Sequence, residues 1–358
     1  MHNKSMQEIT DKITAGDRIT GEEFLFLAEK ADLYRLSFMA DAVRKRLHPE
    51  PKVTYVIDRN INYTDICISA CKFCAFFKAP EDPQGSVLRR EELLRKIRET
   101  QELGGTQILL QGGLHPDLPL AFYEDMLRFM KATGIHIHGF SPPEICHFAE
   151  LSGLSIRTVL ERLMIAGLDS IPGGGAEILS DRVRQQLAPR KCSADKWISV
   201  MEQAHTLGMR TTATMMFGHV ETWEERLEHL QRLRDLQDRT GGFTAFIPWP
   251  FQPDNTALAE TVNGEKTSAV TYLRMLALSR IFLDNFANIQ ASWVTQGPKI
   301  AQLSLFFGAN DFGSTMIEEN VVAAAGVHFR LSEQEIRRLV TDAGFTPEQR
   351  LMDYTSAE

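Results

Sequence analysis

Cysteine is scarce in this chain, with five in 358 residues, which is too few for a disulfide framework. Basic residues are also in deficit. Lys and Arg number 39 against 47 Asp and Glu, a net charge of −8, so a phosphate-backbone partner has no electrostatic footprint and nucleic acid is excluded. No apolar run approaches the roughly 18 residues of a membrane span. Residues 1–8 also lack the apolar core of a signal peptide. The expected location is the cytoplasm, without a membrane partner. Linkers and low-complexity segments are missing too, and 43% hydrophobic residues suffice for one large core.

What is present is concentrated. Three of the cysteines, Cys67, Cys71 and Cys74, fall in the run Cys67-Ile-Ser-Ala-Cys71-Lys-Phe-Cys74, with Phe73 just before the last. Three thiolates on one short loop can hold three irons of a [4Fe–4S] cube and leave the fourth iron open, whereas an electron-transfer cluster takes four cysteines. A structural zinc site wants a fourth Cys or His close by, and the residues that follow are Lys and aromatics. Cys146 and Cys192 are too few for a second cluster and read as ordinary buried thiols.

Around this loop the pattern alternates. Short apolar runs at 53–58, 107–110, 135–140, 168–171, 210–217, 243–248 and 288–293 read as strands, with an eighth at 309–312. Helical spacing fills 90–103, 120–133, 155–166, 194–207, 222–239 and 267–285. Alternation of this kind predicts an α/β fold, a (β/α) TIM-type barrel that is closed or nearly closed. We expect a helical extension over 1–50, the barrel over 51–330, and a C-terminal helix and tail packed on the barrel over 331–358, with the stretch after Gly344 at the surface. Ser5-x-x-Glu8, Thr20-x-x-Glu23, Thr222-x-x-Glu225 and Ser332-x-x-Glu335 are capping-box signatures.

In a parallel barrel the chemistry gathers on loops after the strand C-termini. The cysteine loop follows the first strand, Gln111-Gly112-Gly113 the second and Ser141-Pro142-Pro143-Glu144 the third. Gly173-Gly174-Gly175 with Glu177 follows the fourth, and Gly218-His219-Val220-Glu221 the fifth. The triglycine matches neither nucleotide-loop pattern. His136 and His138 share one strand face and read either as hydrogen-bonded core residues or as substrate contacts.

Together these segments are more specific than a barrel. The cysteine loop resembles the signature of the radical S-adenosylmethionine enzymes. With 59–64, 75–77, 111–116, 140–144, 172–177, 211–221, 246–253 and 308–320, the chain resembles the cyclic dehypoxanthine futalosine synthase family of the futalosine route to menaquinone. Aminofutalosine synthase and the second half of the deazaflavin-precursor synthase share much of the pattern. A sulfur-inserting relative would need a second cluster. A non-catalytic iron–sulfur or zinc protein would have no use for so many elaborate rim loops.

The resemblance implies a [4Fe–4S] cluster on Cys67, Cys71 and Cys74. It implies S-adenosyl-L-methionine contacts from Phe73, Gln111, Gly112, Gly113, Ser141, Glu177, Arg182 and Met216. Arg184 shares the reading of Arg182, either meeting the methionyl carboxylate or standing as a solvated helix residue. The implied substrate is dehypoxanthine futalosine, and the implied partner is an electron donor such as flavodoxin or ferredoxin. The expected reaction removes hydrogen from ribose C4′, and the carbon radical adds to the benzoate ring. Loss of an electron and a proton then restores aromaticity. Glu144, His219, Glu221 and Asp311 are the candidate bases. Arg59, Arg210 and Lys299 are candidates to meet the benzoate, and His136 and His138 to touch substrate.

Overall fold

All four capping boxes close as read: Ser5 with Glu8, Thr20 with Glu23, Thr222 with Glu225 and Ser332 with Glu335. The computed structural model describes residues 5–357; the first half of the segment read as lacking a leader lies outside the described residues. Helices Met6–Ala15, Gly21–Lys30 and Leu33–Leu47 precede the first strand. They are held by apolar faces: Phe24, Leu27, Leu36 and Met39 are fully buried. Phe24 stacks edge-on against Phe282 at 5.2 Å and Trp223 at 6.4 Å. Each such buried side chain stabilises by roughly 1.5–3 kcal/mol.

The strands are β1 (Lys52–Val56), β2 (Asp58–Asn62), β3 (Gln107–Gln111), β4 (His136–Gly139), β5 (Ser170–Ile171), β6 (Arg210–Phe217), β7 (Phe243–Pro250), β8 (Asn288–Ile289), β9 (Asp311–Ser314) and β10 (Thr346–Gln349). Seven of them, β2 to β8, form one parallel sheet in chain order. Helices cross over at every step, so the sheet curls into the expected barrel, open along one seam. The seam lies between β8 and β2. Ala291 N–H bonds to the Asp311 carbonyl at 2.9 Å, tying β9 to the end of β8. Ile317 N–H then reaches the Asp58 carbonyl at 3.1 Å, and Asn60 N–H the Glu318 carbonyl at 3.3 Å, along the free edge of β2.

Three expectations are corrected. The single strand at 53–58 is two: β1 joins β9 and β10 in a separate three-stranded parallel sheet, and β2 enters the barrel. The apolar run ends at Asp58, but β2 continues to Asn62: Asp58 and Asn60 line the cavity, and Arg59 on the opposite face pairs with Glu99. The loop at 141–144 opens a helix, Pro142–Ser152, whose two prolines sit in the first turn where no N–H is needed. The tail after Gly344 is not surface. Thr346–Gln349 pairs with β1, and Arg350 and Tyr354 then enter the barrel from below. A four-residue run containing Pro347 gives no alternation to read, and proline suits an edge strand.

Barrel interiors are usually packed with Val, Ile and Leu. Here the inner positions of β2, β3, β4 and β6 carry Asp58, Asn60, Gln107, Gln111, His138, Thr212 and Thr214. The outward positions carry fully buried Ile61, Ile108, Leu110, Ile137 and Met215. The hydrophobic core lies between sheet and helices, and the lumen is a cavity of mixed lining, in which these polar side chains stand beside Leu109, Ile247, Trp249, Trp293 and Met352.

Candidate functional site

That cavity has a volume of about 290 Å³. Its mouth is framed by Gly174, Gly175, Trp249, Trp293 and Met316, and its floor by Arg350, Met352 and Tyr354. The cysteine loop rises from the end of β2 at the same rim.

The loop is gripped from several sides. Lys72 N–H donates to the Leu187 carbonyl at 2.9 Å, and its own carbonyl accepts from Leu258 N–H at 2.8 Å. Arg190 Nη1 donates to the Ile68 carbonyl at 2.9 Å. Cys67 Sγ accepts from the N–H groups of Ser69 and Leu114 at 3.4 and 3.3 Å. Ser69 Oγ lies 3.2 Å from Cys71 Sγ. Burial pushes the Cys71 and Cys74 thiols up, with the N–H groups of Phe76 and Phe77 opposing this at Cys74. Buried sulfurs that cost energy to ionise but already receive N–H donors are suited to metal-bound thiolates. Among the described residues no three His, Cys, Asp or Glu side chains converge on a single ion; a cubane binds its thiolates at different corners and does not need them to.

The glycines serve close approach between protein segments. A Cβ on Gly113 would lie 2.1 Å from the Ile66 carbonyl oxygen, and one on Gly112 2.5 Å from the Tyr63 ring. Gly112 and Gly113 therefore brace the cysteine loop from below. In the triglycine, a Cβ on Gly174 would lie 2.3 Å from Gln111 Nε2, and Trp197 Nε1 bonds its carbonyl at 3.1 Å. Glu177 holds a left-handed φ of 43°, strain that the surroundings must impose. Its carboxylate meets Lys191 Nζ at 2.6 Å, and Lys191 lies 5.0 Å over the Phe73 ring. Burial works against the Lys191 charge, but Cys71 and Glu177 hold its pKa above the ordinary value. Phe73, Glu177 and Lys191 thus form one unit beside the cysteines.

Other expected residues are not brought to the cavity. Arg182 is half exposed and paired with Glu225 at 2.5 Å. Arg184 is buried and instead secures the triglycine loop through the Gly175 and Ala176 carbonyls, at 3.1 and 2.7 Å. Met216 is buried, its N–H on the Glu177 carbonyl at 3.0 Å. Ser141 Oγ donates to Glu144 at 2.6 Å. Glu221 takes the N–H groups of Gly218 and His219 and the Arg226 guanidinium, and both Glu221 and His219 side chains are inaccessible. Asp311 accepts from Thr54 Oγ1, Gly313 N–H and Arg350 Nε.

Arg59 points outward to Glu99 at 2.8 Å, and Lys299 is exposed on helix Pro298–Ser304. Arg210 and His136 line a separate cavity of about 270 Å³ beneath the barrel, which Gln107 and Met352 divide from the main one. His138 does line the main cavity. Its Nδ1 shares Ser170 Oγ with His136 Nε2, at 2.7 and 2.8 Å, and burial holds it neutral. Cys146 and Cys192, distant in sequence, meet through a hydrogen bond that lowers the Cys192 thiol.

Asp58, Asn60, Gln107 and Arg350 are among the lining residues that escaped the sequence reading. The first three did carry a signal, since polar side chains at alternate positions of strands buried on both sides mark a polar lumen. Arg350 carried none.

Glu144 is 2% exposed and accepts from Tyr63 Oη at 2.7 Å and Gly112 N–H at 3.1 Å. Burial raises its pKa from 4.5 to about 7 despite these bonds. The folded state therefore binds this proton more tightly, and stability present at low pH is lost as pH rises towards 7. Between about pH 5 and about pH 8 the stability of Glu144→Gln relative to wild type should improve by about 3 kcal/mol, read by chemical unfolding. A difference that stays flat with pH would show that Glu144 is already ionised in the fold.

The radical SAM superfamily profile matches residues 61–233, and the CofH/MqnC C-terminal region profile matches 240–358. The chain is 46% identical over 352 residues to cyclic dehypoxanthine futalosine synthase of Halalkalibacterium halodurans, covering 98% of this chain and 94% of that one. It is 40% identical over 356 residues to 5-amino-6-(D-ribitylamino)uracil–L-tyrosine 4-hydroxyphenyl transferase of Methanopyrus kandleri, covering 98% and 96%. The crystal structure of methylornithine synthase shares the fold, with a TM-score of 0.72 at 19% identity over 95% of this chain and 97% of that one.

Proposed function

Since the chain belongs to the radical S-adenosylmethionine enzymes and, within them, to the CofH/MqnC family, we propose that it converts dehypoxanthine futalosine to its cyclic form. Hydrogen leaves ribose C4′, and the resulting carbon radical closes onto the benzoate ring. The observation that carries this reading is the cavity, walled by polar and aromatic side chains, that opens at the rim bearing the cysteine loop.

Cys67, Cys71 and Cys74 would hold the [4Fe–4S] cluster, which with S-adenosyl-L-methionine supplies reductive cleavage to a hydrogen-abstracting carbon radical. The chain's tasks are positional. Phe73, Lys191 and Glu177 stiffen the cysteine loop, and Gln111 and the triglycine frame the passage between loop and cavity. Trp249 and Trp293 shield the cavity mouth from water. Rearomatisation releases a proton, and none of the expected bases lines the cavity. His138 takes it in this reading: burial keeps the ring neutral, and the tautomer the reading requires has Nδ1–H donating to Ser170 Oγ and Nε2 as the acceptor. A one-electron donor of the flavodoxin or ferredoxin type is the partner required, and the cytoplasm the compartment.

A second reading has one observation in its favour. Arg350 is the one Lys or Arg on the cavity wall among the described residues, and it is ion-paired to Asp311. A wall without an uncommitted cation suits a ribityl-bearing uracil, the kind of substrate named for the Methanopyrus kandleri relative, at least as well as a benzoate. Anaerobic turnover separates the two. With S-adenosylmethionine, a reductant and dehypoxanthine futalosine, the expected product is lighter than substrate by two hydrogens and accompanied by 5′-deoxyadenosine. Turnover of the ribityl uracil with tyrosine instead would overturn the cyclase reading.

A further inference from the structure

A base that takes a proton must pass it on before the next turnover, and behind His138 the fold supplies a continuous hydrogen-bonded route. His136 and His138 stand two apart on β4 and so share one face. Ser170 on β5 is the register partner of His138. Its hydroxyl lies between the two rings, 2.7 Å from His138 Nδ1 and 2.8 Å from His136 Nε2. Ser170 is 1% exposed, so the hydroxyl is shielded from water.

The two ends of this chain of bonds open to different spaces. His138 lines the main cavity, whereas His136 and Ser170 line the lower one. His138 Nε2 and His136 Nδ1 make no hydrogen bond among the described residues, and neither is enclosed as His229 Nε2 is. Each end is therefore open to a proton donor or acceptor. The lower cavity is bordered by exposed Gly208, Arg210 and Asp353, so it meets solvent. A reactant that fills the main cavity closes the upper way to water, and the lower way stays open.

The charges around the rings set a direction. Burial, His136 and Arg350 all disfavour charge on His138. Burial also disfavours charge on His136, but Asp169 and Asp353 favour it, against Lys131. Lys131 is itself paired with Asp169 at 2.7 Å, and Arg210 is turned to the Gly241 carbonyl at 2.6 Å. A proton is thus held less tightly at His138 than at His136.

We propose that His138, Ser170 and His136 form a proton relay that carries the proton of rearomatisation from the main cavity to the lower one. This rests on the reading that His138 is the base. The proton of the ring C–H goes to His138 Nε2 as Nδ1–H passes to Ser170 Oγ. The Ser170 proton goes to His136 Nε2, and His136 Nδ1–H leaves to water. One proton enters and one leaves; the C–H electron pair stays in the substrate ring, and no electron passes along the relay. Exchange with water in both cavities after product release returns the ring tautomers.

Single-turnover assays on the reconstituted holoenzyme test it, with S-adenosylmethionine, a reductant and dehypoxanthine futalosine. The proteins are wild type, Ser170→Ala, Ser170→Thr and His136→Ala. All four should form 5′-deoxyadenosine at the same rate, which also shows that the variants fold and hold both reactants. Cyclic product should appear about a hundredfold more slowly in Ser170→Ala and His136→Ala. Ser170→Thr keeps the hydroxyl and should match wild type. Added imidazole, reaching the lower cavity from solvent, should restore product in His136→Ala and not in Ser170→Ala. Where Ser170→Ala does not fold, His136→Ala with and without imidazole decides alone. Variants that cyclise as fast as wild type, or that lose 5′-deoxyadenosine and product together, would overturn the relay and leave the cyclase reading standing. So would imidazole that restores neither variant, or both. Wild type that forms no cyclic product would sink the cyclase reading and the relay with it.

Discussion

Cys74→Ala should yield a protein that folds, carries no iron–sulfur absorption after anaerobic reconstitution, and makes no 5′-deoxyadenosine above background. The loss should be complete because the three cysteines are the whole protein ligand set in this reading, and the fourth iron is reserved for the cofactor. The fold should survive because the loop is held by contacts that do not pass through Cys74 Sγ: Lys72 to Leu187 and Leu258, and Arg190 to Ile68. Cys146→Ala and Cys192→Ala are the matched controls and should keep their iron, since those thiols pair with each other. Iron content, visible absorption and product formation read all three variants. A Cys74→Ala protein that still cleaves S-adenosylmethionine would end the cluster assignment.

Arg350→Met should carry the largest loss of stability, about 3–5 kcal/mol. The Arg350–Asp311 pair is enclosed, with side chains 7% and 0% exposed. Removing the guanidinium leaves Asp311 charged in a site where the Thr54 hydroxyl and the Gly313 N–H are its other donors. Asp311→Asn combined with Arg350→Met should recover more than half of the loss, because no unpaired charge then remains. Chemical unfolding measures both. Equal losses in the single and double variants would mean that packing of Arg350 over the Tyr354 ring, at 4.0 Å, and not its charge, closes the floor. The same variant opens the cavity from below, so the pair links stability of the fold to exclusion of water from the site.

The site divides along a physical line. Features set by local contacts could be read in advance. The four capping boxes involve residues three apart. The cysteine loop is eight residues long. The strand–helix alternation follows from apolar periodicity, and it led to the observed barrel. Features set by distant pairing could not. His136 stood on an expected strand and Arg59 one residue beyond another, yet whether a strand residue faces lumen, helix layer or barrel underside depends on neighbouring strands and on the inserted tail. His219, Glu221 and Asp311 looked like reactive groups at a rim. Glu221 and Asp311 proved to be committed to backbone N–H groups and to Arg226 and Arg350, and His219 to the Met216 carbonyl, the Val220 N–H and Glu221.

The sequence by itself determined the barrel and the position of the three-cysteine loop after its first strand, because periodicity, capping and short-range spacing act within a few residues. Only the tertiary structure decided what lines the lumen and what seals it. Asp58 and Glu319 hold amides on β3 and β2, Lys191 crosses to Glu177 beside Phe73, and Arg350 returns from near the chain's end to meet Asp311. The reason is the cost of burying polar groups: each must find its partner wherever the fold supplies one, and most of these partners lie tens to hundreds of residues away.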